Sequence, residues 1–195
     1  MRNVGFHVEL TAPGRASLSG RSVSNITALS DAMARPESSV LTLRDLAQGR
    51  LHAELAFVTR DDLQGVDCSI EKVLAATEFV IPVLALLAMQ NGAEAVAMYV
   101  VGGCACDPRV TDLRTLGVVV DKNGEIAGMG AGAAVLGHPA QAVAELVKHL
   151  AASGRELPAG SLVMSGGITE AIELAAGDAV TARFQGLGSV TVRFA

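Results

Sequence analysis

The sequence predicts an α+β protein built on a mostly antiparallel, rolled sheet, and three observations carry that reading. Short apolar runs with strand character outnumber runs with helical spacing. The helical runs are not interleaved one per strand, as a parallel α/β sheet requires. Gly-rich turns separate the strands of the C-terminal third, and no internal repeat appears. At 195 residues, half of them hydrophobic and 18% charged, the chain reads as a single domain over residues 1–195 with its own core.

The first 45 residues are poorly periodic, and "GRASLSGRSVSN" (14–25) reads as a loop. In "LHAELAFVTRDDL" (51–63), Leu51, Ala53, Leu55 and Phe57 alternate with His52, Glu54 and Ala56. Period two predicts a strand, and it puts His52 and Glu54 on one face. "CSIEKVLAATEFVIP" (68–82) predicts a helix with Ser69 as N-cap and Pro82 as its stop, followed by a buried strand in "VLALLAMQ" (83–90). "LGVVVDKNGEIAGMG" (116–130) is the clearest hairpin, turning across Lys122-Asn123-Gly124. "HPAQAVAELVKHLAASG" (138–154) is the clearest helix. Pro139 suits its first turn, Val143, Leu146, Val147 and Leu150 form one stripe, and Gly154 lies beyond its end. Strands are predicted at "SLVMSG" (161–166), "DAVTARF" (178–184) and "SVTVRFA" (189–195).

Composition excludes several roles. A net charge of -5 offers no basic footprint for nucleic acid. Cys68, Cys104 and Cys106 make no disulfide framework, which implies a reducing compartment, and Cys104-x-Cys106 lacks the second cysteine pair of a zinc site. The most apolar run, Phe79 to Met89, contains Pro82 and falls well short of the roughly 20 residues of a membrane span. With no apolar signal segment at the start, a cytoplasmic protein without membrane partners is expected.

Three stretches are candidates for chemistry. "GMGAGAAVLG" (128–137) spaces its glycines as G-x-G-x-G after a hairpin, not as the strand-to-helix dinucleotide fingerprint, so close backbone approach explains it better. His52 and Glu54 offer a base, an acid or metal ligands, or simply an exposed strand face. "SGGIT" (165–169) offers backbone N–H groups and the hydroxyls of Ser165 and Thr169 to an anion, or forms a plain turn.

The order of the motifs adds a resemblance. "HAELAFVTRDD", "VIPVLAL", the long run 116–171 and "AGDAVTARFQGLGSVTVRF" together resemble the 2-oxopent-4-enoate hydratase and 4-oxalocrotonate decarboxylase group of the fumarylacetoacetate hydrolase superfamily. "VGFHVELTAPG" (4–14) is similar to that group's V-G-Y-K-I-G-L-T-S, so the likeness spans nearly the whole chain, without the group's N-terminal helical segment. It implies a fumarylacetoacetate-hydrolase-like rolled mixed β-sheet with a few outer helices, and a small oxo or enol acid as substrate. It further implies a homo-oligomer.

The resemblance also implies a Mg²⁺ or Mn²⁺ held by a Glu-x-Glu strand and a following Pro-x-x-Glu. Here the first Glu is His52, the second is Glu54, and the third acid falls at Ala85. The acid and serine expected next fall at Ala88 and Met89, and the group's lysine falls at His7. One carboxylate and an imidazole make a poor magnesium site, so the expectation is that the Mg/Mn site is lost and no cofactor is used. The leading expectation is then a metal-independent lyase, isomerase or cyclase moving a proton next to a carbonyl, with Glu54 as base and His7 and His52 as acids or enolate donors. Ser165 and Thr169 would hold the substrate. One alternative is a transition-metal hydratase using His7, His52 and Glu54. The other is a non-catalytic binding module or partner subunit of an active relative.

Overall fold

The computed structural model describes residues 2–10, 23–46, 49–90 and 93–195. Its strands in chain order are β1 (Asn3–Leu10), β2 (Val23–Ser30), β3 (Ala34–Arg35), β4 (Val40–Leu41), β5 (Arg50–Thr59), β6 (Thr77–Gln90), β7 (Ala93–Val101), β8 (Gly117–Lys122), β9 (Glu125–Ala131), β10 (Leu162–Met164), β11 (Ile172–Glu173), β12 (Ala179–Phe184) and β13 (Gly188–Phe194). The α-helices are α1 (Ile70–Ala76) and α2 (Pro139–Ala151). The expected α+β, rolled and mixed architecture is present.

One sheet runs β2-β1-β10-β5-β6-β7-β3, with β11 also on β5; the second runs β4-β13-β12-β8-β9. Pairings are antiparallel except β1 with β10, β3 with β7 and β4 with β13. The edge strands β2 and β3 of the larger sheet are joined by only the three-residue 3₁₀ turn Asp31–Met33. So short a link between opposite edges forces the sheet to curl into a roll.

The roll has two apolar faces. On its convex side, Leu51, Leu55, Phe57, Leu84 and Val100 pack in one core with Val143, Leu146, Val147 and Leu150 of α2 and with Val118, Val180 and Val192 of the second sheet. Each such side chain contributes roughly 1.5–3 kcal/mol when fully buried. The concave side holds a smaller cluster around Leu29, Ala56, Val83, Ala85, Leu87, Tyr99 and Met164. The alternation in 51–57 thus separates two interiors, which is why both faces of β5 are buried.

Most local expectations hold. The hairpin turns through Asn123 (φ 58°) and Gly124 (φ 90°), the conformation a two-residue hairpin loop demands. α2 is capped by His138, whose Nδ1 accepts from the Ala140 amide at 3.1 Å. The glycines of 128–137 do permit close approach: a Cβ on Gly132 would lie 1.8 Å from Leu113 O, and one on Gly130 2.3 Å from Ile168 O.

Two expectations are corrected. The helix ends at Ala76, and β6 runs straight through Pro82. In an antiparallel strand a residue's N and C=O face the same neighbour. Pro82 O accepts from Gly102 N, just past the last β6–β7 pair, Val83 with Val101. The missing donor of Pro82 therefore faces Gly102 at the very end of the β6–β7 ladder, where the strand forgoes a single terminal hydrogen bond. The aperiodic first 45 residues in fact contain β1 to β4, whose inward positions carry polar groups such as His7. The loop expected at 14–25 lies outside the described residues as far as 22; from Val23 it is strand.

Candidate active site

His7 enters the concave interior from β1, where it pairs with Met164, and Met164 pairs with Ala56 of β5. Glu54 lies two residues further along β5, opposite Val83, and His52 two further again, opposite Ala85. All three therefore project on the side of the sheet that carries the smaller cluster.

The imidazole of His7 and the carboxylate of Glu54 meet across β10, with Nε2 3.1 Å from Oε1 and both residues 1% exposed. The second carboxylate oxygen, Oε2, accepts the Gly166 amide at 3.0 Å. Burial opposes the charge on His7, but the Glu54 carboxylate and its hydrogen bond outweigh it, so the net shift of the His7 pKa is upward. His7 Nδ1 is buried without a hydrogen-bond partner among the described residues. Leaving such an atom unsatisfied costs about 1–3 kcal/mol, and sites retain that cost where a ligand atom is to be met.

"SGGIT" explains how the pair meets. Ser165 N bonds to Leu55 O and Ile168 N to Ala53 O, so the loop advances three residues while β5 advances two. The extra residue bulges, and the Gly166 amide turns onto Glu54. Gly166 has φ 86°, and a Cβ there would sit 2.7 Å from Val8 O. Gly167 is bare for a second reason: its Cβ would lie 2.3 Å from His52 Nδ1.

His52 is half-buried, and its Nδ1 lies 3.1 Å from Thr169 O. A carbonyl only accepts, so Nδ1 carries the proton and Nε2 of the neutral ring holds a lone pair. Thr169 Oγ1 accepts the Ala53 amide at 3.4 Å, and Ser165 is fully buried with Oγ 3.5 Å from Gly166 O. Ser165 and Thr169 thus stand behind β5, holding the loop and His52 in place. The structure brings His7 and Glu54 into contact and sets His52 beside them on one face. Sequence reasoning offered the backbone N–H groups of 165–169 to an anion; within the protein the Gly166 amide meets the Glu54 carboxylate.

A family model for the fumarylacetoacetate (FAA) hydrolase C-terminal region matches residues 22–195. The 4-oxalocrotonate decarboxylase of Pseudomonas sp. (strain CF600) is 40% identical over 203 residues, covering 98% of this chain and 77% of the relative. The 2-hydroxyhexa-2,4-dienoate hydratase of Comamonas testosteroni is 34% identical over 180 residues, covering 85% and 68%. The solved 4-oxalocrotonate decarboxylase from Pseudomonas putida G7 superposes with a TM-score of 0.89 at 37% identity, over 100% of this chain and 78% of its own. The chain belongs to the fumarylacetoacetate hydrolase family. Among its relatives are decarboxylases and hydratases of small oxo and hydroxydienoate acids.

These relatives correct the expectation that no cofactor is used. The P. putida G7 enzyme is complexed with calcium and acetate in one structure and with magnesium and adipate in another. The replaced acids at 52 and 85 do not by themselves remove such an ion, because both Ca²⁺ and Mg²⁺ also take backbone carbonyls and water as ligands. In this chain both Glu54 oxygens already accept hydrogen bonds and His52 Nδ1 is held by Thr169 O. Among the described residues no group of three or more His, Cys, Asp or Glu is placed to hold a metal ion. The side-chain donors the site offers such an ion are the remaining lone pairs of the Glu54 carboxylate and His52 Nε2. Among the described residues, no helix is long and apolar enough to cross a membrane.

Proposed function

We propose that the chain is a lyase-type enzyme acting on a small 2-oxo acid, moving a proton at the carbon next to the carbonyl. The observation that carries this reading is the buried His7–Glu54 pair with its unpartnered Nδ1. Glu54 holds His7 as an imidazolium. Its free Nδ1–H is then a preorganised donor for the substrate's 2-oxygen, where negative charge develops as the enolate forms. Because Glu54 is committed to His7 and to Gly166, the lone pair on His52 Nε2 is the better base for the C3 proton. The bulged loop fixes both groups at once, through Gly166 to Glu54 and through Thr169 to His52.

The test is C3 deuterium exchange of 2-oxopentanoate in D₂O, followed by proton NMR, with Mg²⁺ and with EDTA. Exchange by the wild type and its loss by at least about 100-fold in His52→Gln is expected, the range of general base catalysis. Exchange that is unaltered in His52→Gln would remove this assignment, and a wild type inert under both conditions would favour a binding module.

A further inference from the structure

The first turn of α2 hangs on a titratable group. Pro139 opens the helix and has no N–H, so the first amide that needs an acceptor is that of Ala140. His138 Nδ1 is that acceptor, at 3.1 Å. Ala140 is 0% exposed, so its amide has no water to turn to while the turn stays in place. The backbone pins the capping residue. Leu136 (φ 51°) and Gly137 (φ 85°) lie in the left-handed region and swing the chain into the helix. His138 N then bonds to Val135 O, and its own carbonyl accepts from Gln141 N, both at 2.9 Å. The residue is thus tied on both sides in the extended conformation of an N-cap, with φ -163° and ψ 133°.

A serine or asparagine in this place would cap at any pH. A histidine caps only through an unprotonated Nδ1, because an imidazolium has two donors and no acceptor. The neutral ring therefore carries its proton on Nε2. A charge on the ring would also oppose the positive end of the helix. The charged groups that face the ring are Asp112 and Arg114, from the chain before β8, and Glu71 of α1, which packs against α2. The first turn of α2 carries no acid of its own. Burial, the largest influence, pushes the pKa of the ring down. Asp112 pulls it up, Arg114 pushes it down and Glu71 pulls it up, and the net shift is downward.

We propose that His138 is a pH-operated latch on α2, closed while Nδ1 accepts the Ala140 amide and opened when that nitrogen takes a proton from solvent. The sign follows from the ring's surroundings. Folding favours the neutral ring, so the contribution of the latch is present above pH 6.5 and is lost as pH falls through the lowered folded value. This runs opposite to the His7–Glu54 pair, whose contribution is lost as pH rises, and it does not depend on the reaction assigned to that pair.

The test has two arms. In a pH titration of the whole chain followed by ¹⁵N–¹H NMR, the Ala140 amide should shift together with the His138 ring, with a midpoint below 6.5. This arm needs no variant, so it decides the matter even if a variant folds poorly. The second arm compares urea unfolding of the wild type, His138→Asn and His138→Ala between about pH 8 and about pH 5. Asparagine caps a helix without titrating. At the upper end His138→Ala should unfold with an equilibrium constant about fivefold larger than the wild type, the worth of one helix cap. At the lower end the wild type should have lost about that factor relative to His138→Asn. The other histidines are common to all three proteins and cancel in these ratios. An Ala140 amide that ignores the titration of the ring, or a ratio of wild type to His138→Asn that is the same at both ends, would overturn the proposal.

Discussion

His7 and Glu54 sit on strands that are not neighbours: β10 lies between them, yet Nε2 and Oε1 are 3.1 Å apart. They meet where β10 gives way to Gly166 and Gly167, which raise no side chain between β1 and β5. The pair is thus a consequence of the glycine bulge as much as of its own two residues, and that dependence makes the site testable by changes on either side.

With His7 protonated, as proposed, removal of Glu54 leaves a buried charge uncompensated. Glu54→Ala should lower stability by about 3–5 kcal/mol. A fall in the urea midpoint with the slope unchanged is the expected result; a loss below about 1 kcal/mol would show that the pair is not charged in the folded protein.

The pair also sets a pH dependence. The folded pKa of His7 is raised above 6.5, so the protonated form is favoured by folding. That contribution is present in full below pH 6.5 and is lost as pH rises through the raised folded value. The stability gap between wild type and His7→Gln, measured by urea unfolding across that range, should therefore narrow toward high pH. A gap that widens would reverse the sign.

Gly167→Ala tests the other side of the bulge. The added Cβ would lie 2.3 Å from His52 Nδ1, so the ring must leave Thr169 O. A stability loss of about 1–3 kcal/mol is expected, with a fall in C3 exchange of about tenfold or more. Gly128→Ala is the control. Its Cβ would meet Ile172 at 3.4 Å, an ordinary contact, and exchange should be unchanged.

Pro82→Ala should change stability by less than about 1 kcal/mol, since the proline sits at the last step of the β6–β7 ladder, where one regained terminal hydrogen bond is offset by a freer unfolded chain. A larger loss in thermal or urea unfolding would mean that the ring itself is needed against Gly103, whose Cβ position lies 3.2 Å from Pro82 Cγ.

Much of this was legible in the residues. The alternation of 51–57 places His52 and Glu54 together, Asn123-Gly124 announces its hairpin, and Pro139 and the Val143–Leu150 stripe define α2. What escaped is non-local or inverted. His7 and Glu54 are 47 residues apart in sequence, and no local period reports their contact. β1 hides because its inward face carries His7 beside an apolar cluster. β6 hides because Pro82 reads as a stop, whereas which neighbour the proline faces decides its cost. The Gly166 amide on Glu54 follows from backbone geometry that residue types do not display.

The measurement that tests the central claim most directly is ¹⁵N NMR of the His7 ring at neutral pH, with and without 2-oxopentanoate. Two protonated ring nitrogens, and a shift of Nδ1 larger than that of Nε2 when the oxo acid is added, are the predicted result. A neutral ring, or a ring whose Nδ1 ignores the oxo acid, would contradict it.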